Sequence, residues 1–260
     1  MEENTLSAES IRDVLNTKYI GRPTLYYPSV SSTMDVARQS IAKGATEGTV
    51  ILADEQTSGR GRLGREWVSP PDSSLMMSII LYPKLAQVQR LTMAACIAIA
   101  RCIEDVAYLE TSIKWPNDVL VGGKKVSGVL IESDVAGDKV NYAIVGMALN
   151  VNLDVERHPE IADIATSLKR ELGLHFSRLE VLASLLGAFE AVYTDLCHGE
   201  PIENEWRRRL GTIGKKVTVR NGDVVREGVA EDVDADGNLL LRRPDGSLET
   251  ISAGDVTLRG

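Results

Sequence analysis

The sequence is poor in the side chains that most reactive centres use. Three cysteines and three histidines occur among 260 residues. Cys96, Cys102 and Cys197 show no metal-type spacing, and an odd count does not suit a disulfide framework. Cys96 and Cys102 sit inside an apolar helical pattern, so they read as buried thiols. His158, His175 and His198 are scattered, which disfavours metal ligation and a Ser-His-Asp triad. No apolar run approaches the roughly 18 residues needed to span a bilayer. Glu2, Glu3 and Glu9 stand where a signal peptide needs a basic start and an apolar stretch. The expected compartment is therefore the cytoplasm. An excess of basic charge is also missing, since the formal net charge is -8. A general nucleic-acid binder gains most of its affinity by neutralising phosphates, so that class is disfavoured. A local basic site remains open.

Apolar residues make up 43% of the chain, the ordinary share for a globular protein. The length allows one large domain with a small companion. After Ser31-Ser32-Thr33, the residues Met34, Ala37, Ile41 and Ala42 share a helical face, and Gly44 suits a stop. Thr49 to Ala53 and Ser74 to Tyr82 read as buried strands, and Val88 to Leu109 as a long apolar helix. Thr111 to Trp115, Val119 to Val121 and Lys125 to Ser133 are strand-like, with Gly122-Gly123 closing a hairpin. Val140 to Asn152 continues the pattern. Ser177 and Glu180 form a capping box before a helix over Leu179 to Cys197. Helices alternating with clustered strands predict an α+β domain, a mixed sheet covered by helices. The last fifty residues differ. Asn221-Gly222, Asp236-Gly237 and Asp245-Gly246 punctuate five short strands: Val217 to Arg220, Val225 to Glu231, Leu239 to Arg243, Leu248 to Ser252 and Val256 to Arg259. That spacing predicts a small β-barrel, with a boundary near Leu210 to Gly214. The expected division is 1–210, with a lead-in over 1–24, and 211–260.

One loop carries most of the chemistry: Gly59-Arg60-Gly61-Arg62-Leu63-Gly64-Arg65-Glu66-Trp67. Its glycines let the backbone approach a ligand closely. Arg60, Arg62 and Arg65 set planar forks along one segment, which suits phosphate or carboxylate. It is neither a Walker A loop nor a Rossmann fingerprint in its strand-to-helix context. A solvated basic loop stays open as the bland reading. Lys114-Trp115-Pro116-Asn117-Asp118 puts a cation and a carboxylate around a turn, and a surface turn with a half-buried Trp explains it equally. In Lys125-Val126-Ser127-Gly128-Val129-Leu130-Ile131-Glu132 a lysine heads an apolar strand. Gly128 there leaves space or marks a bulge.

In this order and spacing, the three motifs resemble those of biotin protein ligases. Ser31-Ser32-Thr33 and Gly146-Met147-Ala148-Leu149-Asn150 fit the same pattern, and the resemblance runs from about residue 25 to the end. It implies a class II synthetase-like catalytic domain shared with lipoate ligases, and an SH3-like C-terminal barrel. It implies ATP-dependent biotinylation of a lysine on a biotin carboxyl carrier protein, through biotinyl-5'-AMP, with Mg²⁺. Biotin contacts are implied for Ser32, Thr33, Met34, Gln56, Arg60, Gly61, Arg62, Lys125 and Gly128. Nucleotide contacts are implied for Arg60, Arg62, Trp67, Asn117, Lys125, Asn150 and Arg259. The pattern breaks at Met34, where the family often has Asn; Met34 offers its backbone or packing, but no amide side chain.

This chemistry fits the absence of a catalytic His or Cys pattern. A biotin carboxylate is already ionised and needs no general base to attack the α-phosphorus. It needs positioning and cations, which Arg60, Arg62, Lys125 and Mg²⁺ supply. The carrier lysine must then lose a proton, and Asp118 is the candidate group, with Lys114 beside it. An adenylate must be kept from water, so the Gly-Arg loop is expected to order over it as a lid. Three other readings stay open. They are a lipoate or octanoate ligase on the same fold, a biotinyl-AMP-sensing repressor and a non-catalytic docking module. The stretch before Ser31 reads as too short for a DNA-binding domain, so no DNA partner is expected. The resemblance is compatible with a homodimer or a monomer.

Overall fold

The computed structural model describes residues 6–65 and 67–258. A helix α1 (Ala8–Val14) precedes strand β1 (Thr24–Val30), helix α2 (Thr33–Ala42) and strand β2 (Val50–Gln56). After the Gly-Arg loop come β3 (Ser74–Leu81), the short α3 (Leu85–Val88) and α4 (Leu91–Ala107). Four strands follow: β4 (Ser112–Lys114), β5 (Asp118–Val121), β6 (Lys124–Ala136) and β7 (Lys139–Asn150). Then come α5 (Leu168–Leu172), α6 (Arg178–His198) and α7 (Glu203–Arg209). Strands β1 to β7 form one sheet in the order β1-β2-β3-β7-β6-β5-β4. Among the strand pairs of the described residues, β1 and β2 alone run parallel. The sheet is therefore mixed, as expected.

Alternation along the strands sends side chains to two different packing layers. Leu75, Met77, Ile79 and Leu81 join Val50, Leu52, Val145 and Leu149 in the large core. Ile51, Ile80 and Ile144 point the other way and pack with Met34 and Ala37 of α2. The large core is closed by α4 and α6. Twelve of the seventeen residues of α4 are buried, so this helix is apolar nearly all round and lies in the middle of the protein. Each fully buried Leu, Ile or Met contributes about 1.5–3 kcal/mol relative to exposure, which fixes α4 against the sheet. Helix α6 starts with Ser177 accepting from the Glu180 amide, the Ser half of the expected capping box. Gly122 and Gly123 turn β5 into β6 with φ of 56° and 81°, the conformation a two-residue hairpin requires.

The C-terminal strands are β8 (Lys216–Asn221), β9 (Val224–Val233), β10 (Leu239–Arg242), β11 (Leu248–Ile251) and β12 (Asp255–Leu258). They form a second, fully antiparallel sheet in the order β11-β10-β9-β8-β12. This is the small β module read from its turn dipeptides. It is welded to the first sheet through aromatic residues. Trp115 and Trp206 are each 1% exposed and share one core with Val217, Ala230 and Leu239. The Trp115 indole N–H donates to the Gly237 carbonyl at 2.8 Å. Trp115 is thus fully buried rather than half-buried at a surface turn, because the second sheet covers it.

Helices α1, α3, α5 and α7 and strand β1 are present beyond the elements expected from the sequence. Helices α1, α5 and α7 are short, at 7, 5 and 7 residues, too few to show an apolar period. Strand β1 contains Pro28, which is tolerated because β1 is an edge strand.

Candidate active site

A cleft of about 500 Å³ opens at the ends of β2, β5, β6 and β7, roofed by the Gly-Arg loop. Ser32, Thr33, Met34, Gln56, Arg60, Gly61, Arg62, Trp67, Lys114, Asn117, Asp118, Lys125, Gly128 and Asn150 all line it. The structure therefore brings together every site residue read from the sequence except Arg259, which lies outside the described residues.

One end is built by the start of α2. Ser32 caps that helix, its hydroxyl accepting from the Met34 amide at 3.3 Å. Gln56, the last residue of β2, accepts on Oε1 from the Thr33 amide at 2.7 Å and from the Thr33 hydroxyl at 3.1 Å. The Ser78 hydroxyl donates to Thr33 Oγ1 at 2.8 Å. These buried polar groups form a fixed donor and acceptor array, and the Ser32 hydroxyl proton is free to donate to a ligand. Met34 packs against the strand opposite. A Cβ added at Gly146 would stand 2.9 Å from Met34 Sδ, so the thioether fills the space that Gly146 leaves.

The other end carries the charges. Lys125 Nζ sits 2.6 Å from Asp118 Oδ1, with Lys114 Nζ 3.9 Å from Oδ2. Lys125 Nζ also lies 5.0 Å from the centroid of the Trp67 ring, a cation–π distance. Both groups stand over Gly128, where an added Cβ would approach Lys125 and Trp67 to 3.0 Å. The glycine thus keeps the floor open, and its φ lies outside the left-handed region. Arg62 is fixed by Asn117 Oδ1 at 3.0 Å and by the Gly254 carbonyl at 3.2 Å, and lies 3.6 Å from Asp255. Asn117 in turn donates to the Val129 carbonyl at 2.7 Å. Arg60 pairs with Asp35, and Arg65 with Asp255.

Asn150 spends its amide on the scaffold. It donates to the Thr166 carbonyl at 2.9 Å. That bond holds the segment whose Ile164 and Thr166 exchange backbone hydrogen bonds with Lys125, each at 2.8 Å. The Trp67 indole N–H is buried without a protein partner, a donor left over at the roof of the cleft.

Cys96 lies beneath this charged end. Burial pushes its thiol well above the ordinary range, and the Asp118 carboxylate adds to the rise. Cys102 is pushed up to about 12 by burial. Both are the buried, inert thiols expected, while Cys197 is exposed. Among the described residues no three His, Cys, Asp or Glu side chains converge as a metal site. No helix among them is long and apolar enough to cross a membrane.

Asp35 and Asp255 were missed by sequence reading. Asp35 lay two residues past a recognised motif, and its charge was a usable signal. Asp255 reaches the cleft only because β12 folds back from the second sheet, which no local pattern announces.

Comparison with known proteins defines the class first. Residues 26–150 match the Biotin/lipoate A/B protein ligase family, and residues 212–259 match the Biotin protein ligase C terminal domain. The bifunctional ligase/repressor BirA of Bacillus subtilis is 37% identical over 258 residues, covering 97% of this chain and 79% of the relative. The biotin–[acetyl-CoA-carboxylase] ligase of Paracoccus denitrificans is 34% identical, covering 85% of this chain and 94% of the relative. A biotin protein ligase from Aquifex aeolicus, solved with biotin and ATP, superposes with a TM-score of 0.77 at 29% identity, covering 91% of this chain and 98% of that one. The chain belongs to the biotin protein ligase family.

Proposed function

We propose that the protein activates biotin with ATP and transfers it to a lysine of a biotin carboxyl carrier domain in the cytoplasm. The observation that carries this reading is one cleft lined by Arg62 and Lys125 beside Asn117 and Asp118, by Ser32, Thr33 and Gln56 at the start of α2, and by Arg60, which reaches Asp35 of that helix. A biotin ring offers two N–H donors and one strong carbonyl acceptor, which suits the polar array at the start of α2. Gln56 Oε1 already accepts twice from Thr33, so a ring N–H must share it or displace the Thr33 hydroxyl. Met34 contributes packing at that end.

In the first step the biotin carboxylate attacks the α-phosphorus of ATP. A P–O bond forms, the bond to the β-phosphate oxygen breaks, and pyrophosphate leaves. Arg60, Arg62 and Lys125 offset the repulsion between carboxylate and triphosphate and stabilise charge on the phosphoryl oxygens. Mg²⁺ enters as part of the nucleotide substrate, coordinated by its phosphates. Trp67, Asn117 and Asn150 complete the nucleotide end, Asn117 and Asn150 by holding Arg62 and the backbone beside Lys125, and the resemblance to the family adds a nucleotide contact for Arg259, which lies outside the described residues. In the second step the carrier lysine attacks the acyl carbon of biotinyl-5'-AMP and AMP leaves. Asp118, poised between Lys114 and Lys125, orients the incoming amine and takes its proton. The loop over 59–67, carried on the segment 57–73, is the lid that keeps the adenylate from water. Residues 1–210 form the catalytic unit and 211–260 the C-terminal module, a division supported by the two family matches.

The test is incubation with ATP, Mg²⁺, biotin and a biotin-carrier domain, followed by mass measurement of the carrier. A gain of one biotinyl group is expected, and lipoate in place of biotin should give none. An unmodified carrier that a known ligase can modify would overturn the reading.

A further inference from the structure

Arg178, the first residue of α6, stands apart from the cleft residues. Its side chain is 7% exposed, a costly place for a permanent cation unless it is paired. It is paired twice. The guanidinium binds Asp54, and it donates to Asp72 Oδ1 at 2.6 Å. A third donation reaches the Ser74 carbonyl at 3.5 Å. Asp54 lies just before the end of β2 and Asp72 just before the start of β3. One buried cation therefore grips both ends of the segment 57–73.

The grip is tied to the sheet. The Asn152 amide donates to the Ser73 carbonyl at 2.6 Å. The Asn152 side chain exchanges two hydrogen bonds with the backbone of Phe176, each at 2.9 Å. Asp72 is held with φ at 61°, a left-handed conformation that costs a non-glycine residue energy. Its side chain is 82% exposed yet still turns inward to Arg178.

We infer that Arg178 is a positioning residue for the lid, clamping its two ends so that Arg60, Arg62 and Trp67 pivot from a fixed base. This rests on the reading of that segment as a lid over an adenylate. A base that loosens displaces the arginine forks, and small displacements at a reacting centre are expensive. The effect belongs to adenylate retention and to KM for biotin more than to global stability.

The test uses the full chain with Asp72→Asn, Asp72→Gly and Arg178→Lys. Four quantities are read: escape of biotinyl-AMP without carrier, kcat and KM for biotin, protease cleavage within residues 59–68, and the thermal midpoint. For Asp72→Asn, escape and loop cleavage should rise roughly two- to five-fold, the scale of losing one pair with an exposed partner. Arg178→Lys, which cannot span both carboxylates with one fork, should raise them by about ten-fold. Asp72→Gly relieves the backbone, so a midpoint at or above that of the parent with faster escape separates positioning from folding. If all three variants keep the parent's escape and cleavage rates, whatever their midpoints, the inference is overturned. Should Arg178→Lys fail to fold, the two Asp72 variants decide. Loop cleavage needs no activity. A parent protein that forms no biotinyl-AMP would defeat the functional reading, while faster cleavage in the variants would still support the clamp and unchanged cleavage would overturn it.

Discussion

Replacing Gly128 with alanine places one methyl group at the floor of the cleft. The new carbon would stand 3.0 Å from Lys125 Cε, Lys125 Nζ and Trp67 Cζ3. Non-bonded carbon atoms settle at about 3.5–4.0 Å, so each neighbour must give way by a few tenths of an ångström. The backbone raises no objection, because Gly128 is extended strand where alanine is at ease. The penalty is therefore side-chain crowding, for which about 1–3 kcal/mol is typical. The flexible end of Lys125 absorbs part of it, so about 1.5 kcal/mol is the working figure, roughly ten-fold in an equilibrium constant. Both displaced groups belong to the cleft: Lys125 is drawn from Asp118, and the methyl wedges between the ammonium and the Trp67 ring. The penalty should fall on the liganded state. Biotin-dependent pyrophosphate release should show KM for biotin raised about ten-fold, with the thermal midpoint nearly unchanged. A variant with kcat/KM within about two-fold of the parent would refute the crowding argument. So would a large loss of midpoint with KM unaltered, which would place the cost in the fold.

Arg62→Ala removes the fork held by Asn117 and Gly254, and kcat for pyrophosphate release should fall about 10²–10³-fold. An unchanged kcat would take Arg62 out of the phosphoryl step. Asp118→Ala should slow transfer from pre-formed biotinyl-AMP by about 10²-fold, and normal transfer would rule out its role toward the acceptor lysine. Glu190 governs a pH effect. Burial, the largest single influence, raises its carboxyl, but three backbone N–H donors from Lys18, Tyr19 and Ile20 outweigh it and hold the group below the ordinary range. A depressed folded value means stability that is fully present above the unfolded glutamate value of about 4.3 and lost as pH falls through the folded value. Glu190→Gln should lower the thermal midpoint at neutral pH, with the deficit shrinking below about pH 4. A deficit that stays constant with pH would contradict the assignment.

The parts of the fold that local chemistry determines were readable in advance. Helix α4 announced itself by apolar residues at helical spacing, and the C-terminal strands by their Asn-Gly and Asp-Gly turns. Strand β1 was not readable, because Pro28 breaks the strand pattern and only its edge position excuses it. The cleft residues were readable as motifs, since Arg60, Asn117 and Lys125 each sit in a recognisable run. Their electrostatic partners were not readable as pairs, although the charge of Asp35 beside a motif was a usable signal. Asp35, Arg178 and Asp255 reach their partners across 25, 106 to 124 and 193 residues of chain respectively, and no periodicity links such positions. The burial of Trp115 was left open between a surface turn and a functional site for the same reason, as its indole is met by Gly237 in the turn between β9 and β10.

The cations of the cleft raise an electrostatic question, because each already has an anion. Arg60 faces Asp35, Arg62 faces Asp255 and Lys125 faces Asp118. Three fixed carboxylates beside a triphosphate would repel it. Each of these carboxylates, however, has a second cation. Asp35 also binds Arg38, Asp255 also binds Arg65, and Asp118 has Lys114 at 3.9 Å. When the first cation turns toward phosphate, the carboxylate keeps a partner and is not orphaned. That matters because an unpaired buried charge is expensive, whereas exchanging one partly exposed ion pair for another costs at most about 1 kcal/mol. Arg60 is 48% exposed, so its exchange lies at the cheap end. On the reading of a nucleotide cleft, the three carboxylates and their six cations form three relays. Substrate binding then changes which cation each carboxylate holds, and the apolar floor around Met34 and Gly146 need not adjust. The net charge of -8 on the chain is thereby compatible with a site that accepts an anion, because Asp118 and Asp255 each stand between two cations, and Asp35, whose Arg38 is shared with Glu132, is at least balanced.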